Sequence, residues 1–166
     1  LTAATGGGGA HRIPLERGAF EYIKIAEGCS NGCNYCAIPL IRGAHRSFDP
    51  ELILTDAREA VSRGASELII VAQDIAQYHH GGVELPELVN RIADIPGVRW
   101  IRLMYLHPDH ITDAILNLYA AQPKVVPYID IPFQHASAGV LKLMNRAGDA
   151  ARYTALIERL RETRPD

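Results

Sequence analysis

All three cysteines of the 166-residue chain, Cys29, Cys33 and Cys36, lie in one short stretch, "GCSNGCNYC". The spacing is C-x3-C-x2-C. Thiolates this close on one Gly- and Asn-rich loop suit metal chemistry, and three readings fit them. A zinc ion would need a fourth ligand to close its tetrahedron, with His45 or His11 as candidates. Structural thiols or a redox pair would need core packing, for which a polar loop is poorly placed. An iron–sulfur cluster held by three thiolates would leave one iron free. An open metal position marks catalysis rather than structure. An odd, clustered cysteine count also argues against a secreted disulfide framework.

The elements that must carry this loop alternate. "FEYIKIA" (20–26) reads as a strand that runs straight into the cysteines. Asp49-Pro50 opens a helix with Ile53, Ala57, Ala60 and Val61 on one face, stopped by Gly64. "ELIIVA" (67–72) is a continuous apolar run, as in a strand buried on both faces. A second helix sets Leu85, Leu88, Val89 and Ile92 in register and ends at Pro96-Gly97. "VRWIRLMYL" (98–106) is a third strand. Pro108-Asp109 opens a third helix with Ile111, Ala114, Ile115 and Leu118. "PYIDIPF" (127–133) is a fourth strand. Ser137 is expected to cap a short helix over 138–145, and Asp149 the next, with Tyr153, Leu156, Ile157 and Leu160.

Strand and helix in strict alternation mean parallel βαβ units and an α/β fold. The glycine fingerprint of a dinucleotide fold is missing after strand one. A partial (β/α) barrel of about four units is therefore expected. Four units do not close such a barrel, so a longer polypeptide is expected. Residues 1–18, with Gly6 to Gly9 in a row, read as a flexible linker, and residues 19–166 as the domain.

Chemistry in parallel α/β folds collects at the carboxyl ends of the strands. Strand one delivers the cysteines, strand two Gln73, Asp74 and Gln77. Strand three carries Arg102 and ends at Tyr105 and His107. Strand four ends at Gln134, His135 and Ser137. Ordinary structural readings stand beside these. Arg102 suits an ion pair in the barrel, His135 a loop and His107 a helix entry. His79-His80 before Gly81-Gly82 suits a solvated turn, and the helix over 152–164 a solvated charged face.

Bulk numbers narrow the class. Hydrophobic content of 48% and charged content of 22% fit a globular protein with a core. A formal charge of −2 gives no electrostatic footprint for nucleic acid. Neither a signal peptide nor a membrane-length apolar run is visible, so the cytoplasm is the expected location, without membrane association.

The cysteine spacing directly after the first strand of a βα barrel resembles the signature of the radical S-adenosylmethionine (AdoMet) enzymes, and Tyr35 just before the third cysteine suits it. "YIKIAEGCSNGCNYCAIPLIRG" (22–43), "ELIIVAQDIAQY" (67–78), "IRLMYLHP" (101–108) and "PYIDIPFQHAS" (127–137) are similar to the methylthiotransferases within that family, over roughly residues 20–160. Ala72-Gln73-Asp74 resembles the branch that modifies an aspartate of a small-subunit ribosomal protein. The tRNA branch usually carries Gly-Gln-Asn there. The chain departs from the family where Ser-Arg is usual: here Arg46 precedes Ser47, and Phe48 follows it.

The resemblance implies that Cys29, Cys33 and Cys36 hold a [4Fe–4S] cluster whose free iron chelates the methionine part of AdoMet. An electron donor reduces the cluster, and cleavage of the sulfonium bond gives a radical that takes hydrogen from an unactivated carbon. Tyr35 and Ile38 would lie beside the adenine. Gln73 and Asp74 would bind the ribose or the methionine ammonium, and Arg102 the carboxylate. Gln134 and His135 would close the far wall or meet the substrate. A second [4Fe–4S] cluster, in an amino-terminal domain, would supply sulfur. The substrate would be a ribosomal protein or, in the other branch, tRNA. The rival class is a non-catalytic iron–sulfur or zinc module.

Overall fold

The computed structural model describes residues 18–165. Most of the expected linker, and His11, lie outside them. Four parallel strands form one open sheet in the order β1-β4-β7-β8: β1 (Phe20–Lys24), β4 (Glu67–Val71), β7 (Trp100–Leu103) and β8 (Val125–Ile129). The spatial order follows chain order, as it does in a barrel. Two short antiparallel pairs accompany the sheet. In one, β2 (Ala26–Glu27) pairs with β3 (Arg46–Ser47), bracketing the cysteine loop. In the other, β5 (His79–His80) pairs with β6 (Val83–Glu84) across Gly81 and Gly82, both at positive φ. The histidine turn is thus the tip of an exposed hairpin.

Alternation along the strands decides which side faces what. Ile23, Ile70 and Leu103 are buried towards the helical layer. Tyr22, Ile69 and Arg102 sit side by side on the other face by strand register. The helices between strands cover the first face: α2 (Pro50–Ser62) with Ile53, Leu54, Ala57 and Ala60, α3 (Leu85–Ala93) with Leu88, Val89 and Ile92, and α4 (Asp113–Ala121) with Ile115, Leu118 and Tyr119. Each fully buried Ile or Leu contributes roughly 1.5–3 kcal/mol.

The helix starts show local chemistry. The Asp49 side chain accepts from Glu51 N and Pro50 occupies the first turn, so α2 begins where the sequence predicts. The third helix does not begin at Pro108. Residues Pro108–His110 form one 3-10 turn, and α4 starts after Thr112, whose hydroxyl accepts from Ile115 N. Ser137 precedes the short helix α5 (Ala138–Leu143) without a side-chain cap bond, and its backbone N–H donates to His135 Nδ1 at 2.9 Å. Asp149 does cap α6 (Ala150–Thr163). The charged residues of α6 are exposed, as on a solvated face, and two of them form ion pairs there. Arg152 pairs with Asp109 at 2.9 Å and Arg159 with Asp113 at 2.5 Å, while Arg164 donates to Tyr119 O. No described helix is long and apolar enough to cross a membrane.

Candidate cofactor cleft

The cysteine loop leaves β2 through Gly28, whose φ is +77. A Cβ there would lie 2.6 Å from Gly43 O and closer still to Ala44 O, so the close approach of the two chain segments requires glycine. Cys29 N donates to Gly43 O, Cys36 N to Cys33 O, and His45 N to Ser30 Oγ. The tip of the loop is held by the turn after α5. Asn34 N donates to Met144 O, Asn34 Nδ2 to Leu143 O, and Asn145 Nδ2 to Gly32 O at 2.7 Å. Gly32 and Asn34, on either side of Cys33, are therefore tied to residues more than 100 positions away in the chain, while the Cys29 end is tied locally to Gly43 and His45.

The three thiols carry no disulfide and line one cleft of about 380 Å³. Every strand end reaches it: Cys29, Cys33 and Cys36 after β1, Ala72 and Gln73 after β4, Tyr105 and His107 after β7, Pro132 and Gln134 after β8. Tyr35 and Ile38 line it as well, and Arg146 comes from beyond α5. Two lining residues, Tyr105 and Gln134, hold φ of 64 and 67, and Asn145 beside Arg146 holds 55. A non-glycine residue in that region costs of order 1 kcal/mol or more. Three such residues at one rim mark a place where backbone shape outweighs local comfort.

Asp74 is 1% exposed and is the hub beneath the loop. Its Oδ2 accepts from Asn31 Nδ2 at 3.2 Å, Gln77 Nε2 at 2.8 Å and His110 Nδ1 at 2.6 Å. Its Oδ1 accepts from Ala76 N and His107 N. Burial alone would raise this carboxyl, but the bonds from His110 and Gln77 hold it at about 2. The bond to Asp74 raises His110 in turn, against burial. Burial pushes the Cys29 thiol up, opposed by a backbone bond from Asn31.

The cleft thus gathers seven of the expected residues: Cys29, Cys33, Tyr35, Cys36, Ile38, Gln73 and Gln134. Three fall elsewhere. Asp74 is sealed under the loop with both carboxylate oxygens engaged, so it is placed to hold the loop rather than to touch a ribose or an ammonium group. Arg102 Nε donates to Glu67 Oε1 at 2.7 Å, and its guanidinium stacks 5.2 Å from the Tyr128 ring. Glu67 opens β4, at the end of the sheet away from the cysteines. Arg102, expected to bind the carboxylate, is thereby directed to Glu67 and is not among the residues lining the cleft. His135 is not in the cleft lining but in an adjoining surface recess that shares Gln134 with it, beside Phe133, Ala136, Tyr153 and Thr154. His45, the candidate fourth zinc ligand, is outside the cleft lining and its Nε2 lies 3.1 Å from Ser47 Oγ. Among the described residues no three Cys, His, Asp or Glu side chains converge on a single ion position.

The donor set nevertheless suits a multi-iron cluster: three unbridged thiols from one rigid loop, on one open cleft. Gln73 adds a buried Oε1 without a partner, while its Nε2 faces Glu27 Oε1 at 3.5 Å. Since a carboxylate only accepts, the amide orientation is fixed and the free group is an acceptor. His107, expected at the end of strand three, does line the cleft. Asn31 and Arg146 escape a reading by strand ends: Asn31 looks like a loop residue, and Arg146 stands alone between a short helix and Gly148, where nothing in the sequence marks it.

Curated relatives similar to this chain include the ribosomal protein uS12 methylthiotransferase RimO of Moorella thermoacetica, 46% identical over 150 residues, which span 89% of this chain and 35% of that protein. The RimO proteins of Geobacter sulfurreducens and Geotalea uraniireducens are 47% and 48% identical, over 87% and 84% of this chain. The chain spans about a third of the length of these relatives. Among solved structures, the radical S-adenosylmethionine methyltransferase TsrM of Kitasatospora setae, with cobalamin and a [4Fe-4S] cluster bound, superposes with a TM-score of 0.66 at 14% identity. The match covers 87% of this chain and 29% of that one. That likeness is one of fold, and it matches the open parallel sheet described above. The Radical SAM superfamily profile matches residues 23–165, from β1 through α6. With the cysteine loop, the four strand ends and the sheet order all inside that match, this chain belongs to the Radical SAM superfamily.

Proposed function

We propose that this chain is the cofactor-cleaving part of a methylthiotransferase that acts on ribosomal protein uS12, at an aspartate side chain. The observation that carries the reading is the convergence of three free thiols and four strand ends on one cleft, in a chain 46% identical to a uS12 methylthiotransferase over 89% of its length. Cys29, Cys33 and Cys36 would hold a [4Fe–4S] cluster as thiolates. When bound, that cluster and AdoMet supply the one-electron chemistry needed to remove hydrogen from an unactivated carbon, which no side chain supplies.

The chain's own residues bind, orient and exclude water. Gly28 and the Asn34 and Asn145 bonds fix the loop. Asn31, held by Asp74, fixes the segment between Cys29 and Cys33. Tyr35 and Ile38 provide an apolar wall. Gln73 offers a buried acceptor for an ammonium or hydroxyl donor, and Gln134 lines the same cleft. A second cluster for sulfur supply and an electron donor belong to the same reading, as does a cytoplasmic setting where ribosomal proteins are found.

The test uses the full reading frame that contains these residues, reconstituted anaerobically with iron and sulfide. It is incubated separately with ribosomal protein uS12 and with adenosine-modified tRNA, and the products are weighed by mass spectrometry. A methylthio gain on the ribosomal protein is expected. A gain on tRNA alone would move the substrate to RNA and leave the cluster chemistry standing.

A further inference from the structure

The described cleft lining holds one guanidinium, that of Arg146. Arg146 is 8% exposed. Its Nη1 donates to Tyr35 Oη at 3.2 Å and its Nη2 to Pro132 O at 2.8 Å. Its Nε is buried and has no partner. Each Nη carries a second hydrogen as well. No carboxylate pairs with it among the described residues, although Arg63, Arg91, Arg102, Arg152 and Arg159 each have one.

Burial disfavours a cation, and here the Tyr35 hydroxyl and the nearby Cys33 side of the loop offset it while no carboxylate among the described residues does. This one is also held rigidly. The Tyr35 hydroxyl and the Pro132 carbonyl fix the plane of the guanidinium, and the bond from Asn145 to the Gly32 carbonyl ties its own turn to the cysteine loop. A planar fork with Nε–H free matches a carboxylate, which accepts two parallel bonds. We infer that Arg146 is the carboxylate-binding residue of the cleft. The carboxylate has two sources in the reading above, on which this inference rests: the methionine end of AdoMet, or the acidic side chain of the protein substrate.

The experiment compares wild type with Arg146→Met and Arg146→Lys in the full reading frame, anaerobically reconstituted. Three quantities are measured: iron per chain, equilibrium affinity for AdoMet and for its decarboxylated analogue, and affinity for a uS12 peptide with Asp or Asn at the target position. The inference expects Arg146→Met to keep its iron and to lose roughly ten- to hundredfold in affinity for one carboxylate-bearing ligand. If the source is the cofactor, AdoMet binding falls while the decarboxylated analogue binds wild type and variant alike. If the source is the substrate, the Asp peptide weakens and the Asn peptide does not.

Arg146→Lys keeps the charge but not the fork, so it should recover part of the loss and also serves if the Met variant does not fold. Unchanged affinity for every ligand would overturn the inference. So would a change confined to the iron content or the electron paramagnetic resonance of the cluster, since Arg146 would then be a counter-charge to the Cys33 side of the loop. Failure of the methylthiotransferase reading would appear in the wild-type protein as an absence of product. Failure of the Arg146 assignment appears instead as a variant whose affinity for every carboxylate-bearing ligand matches that of wild type.

Discussion

Asp74 Oδ2 and His110 Nδ1 lie 2.6 Å apart, joining the end of β4 to the 3-10 turn after β7 directly beneath the cysteine loop. The carboxylate is 1% exposed and its imidazole partner about a third exposed, so the pair is shielded on one side only. Three strand-end segments meet there, because Asn31 of the first loop binds the same oxygen.

The pair predicts a stability profile. Asp74 is held at about 2, below the ordinary 3.8, so its contribution is complete above pH 3.8 and is lost as pH falls towards 2. That contribution is about 2 kcal/mol. His110 is raised above 6.5, so its charged part is complete below pH 6.5 and is lost as pH rises through the folded value. The pair therefore stabilises most between these limits. Asp74→Asn should flatten the profile of unfolding free energy on both sides, read by denaturant titration at a series of pH values. A variant profile that parallels wild type would reject the hub.

The thiols predict a metal count. Replacing Cys29, Cys33 or Cys36 by Ala in the full reading frame should remove about four irons per chain after anaerobic reconstitution. Retention of the full iron content by any one of the three, or binding of a single zinc in place of iron, would contradict the cluster.

The backbone at Gly28 predicts an asymmetry between two glycines of similar φ. Gly28 and Gly43 hold +77 and +78, but only Gly28 faces carbonyl oxygens where a Cβ would go, while Gly43 has open space. Gly43→Ala should cost roughly 1–3 kcal/mol from backbone strain alone, and Gly28→Ala more, with loss of iron binding. Thermal unfolding and iron analysis of the two variants side by side decide it. Equal effects would mean that the clash is relieved by a loop shift.

Arg102 predicts a silence. Its partner is Glu67 at the far end of β4, with both side chains partly solvated. Arg102→Met should leave AdoMet affinity unchanged and cost up to about 1 kcal/mol of stability, the range of a screened pair. A tenfold loss of AdoMet binding would return the residue to the cleft.

The local code of this chain was legible in its sequence wherever one residue decides one bond. Asp49 and Asp149 set helix starts through their side-chain caps, Pro50 and Gly64 helix ends through their backbone preferences, the stretch at 20–26 marked a strand, and the apolar run at 67–72 marked a buried one. The cysteine spacing specified three thiols on one loop. Tertiary structure decided what those elements face. Arg102 and Arg146 are the same residue type, one on a strand and one in a turn, and sequence position favoured the strand. Register placed Arg102 on one face with Tyr22 and Ile69, within reach of Glu67, whereas the end of α5 and the turn after it, pinned to Gly32 and Asn34, carried Arg146 into the cleft. Likewise Asp74 stands next to Gln73 in the chain, yet one side chain is sealed under the loop and its neighbour lines the cleft. Successive side chains point to opposite sides as a strand ends. Which side is solvent and which is a partner depends on segments more than thirty residues away, and no local pattern encodes that.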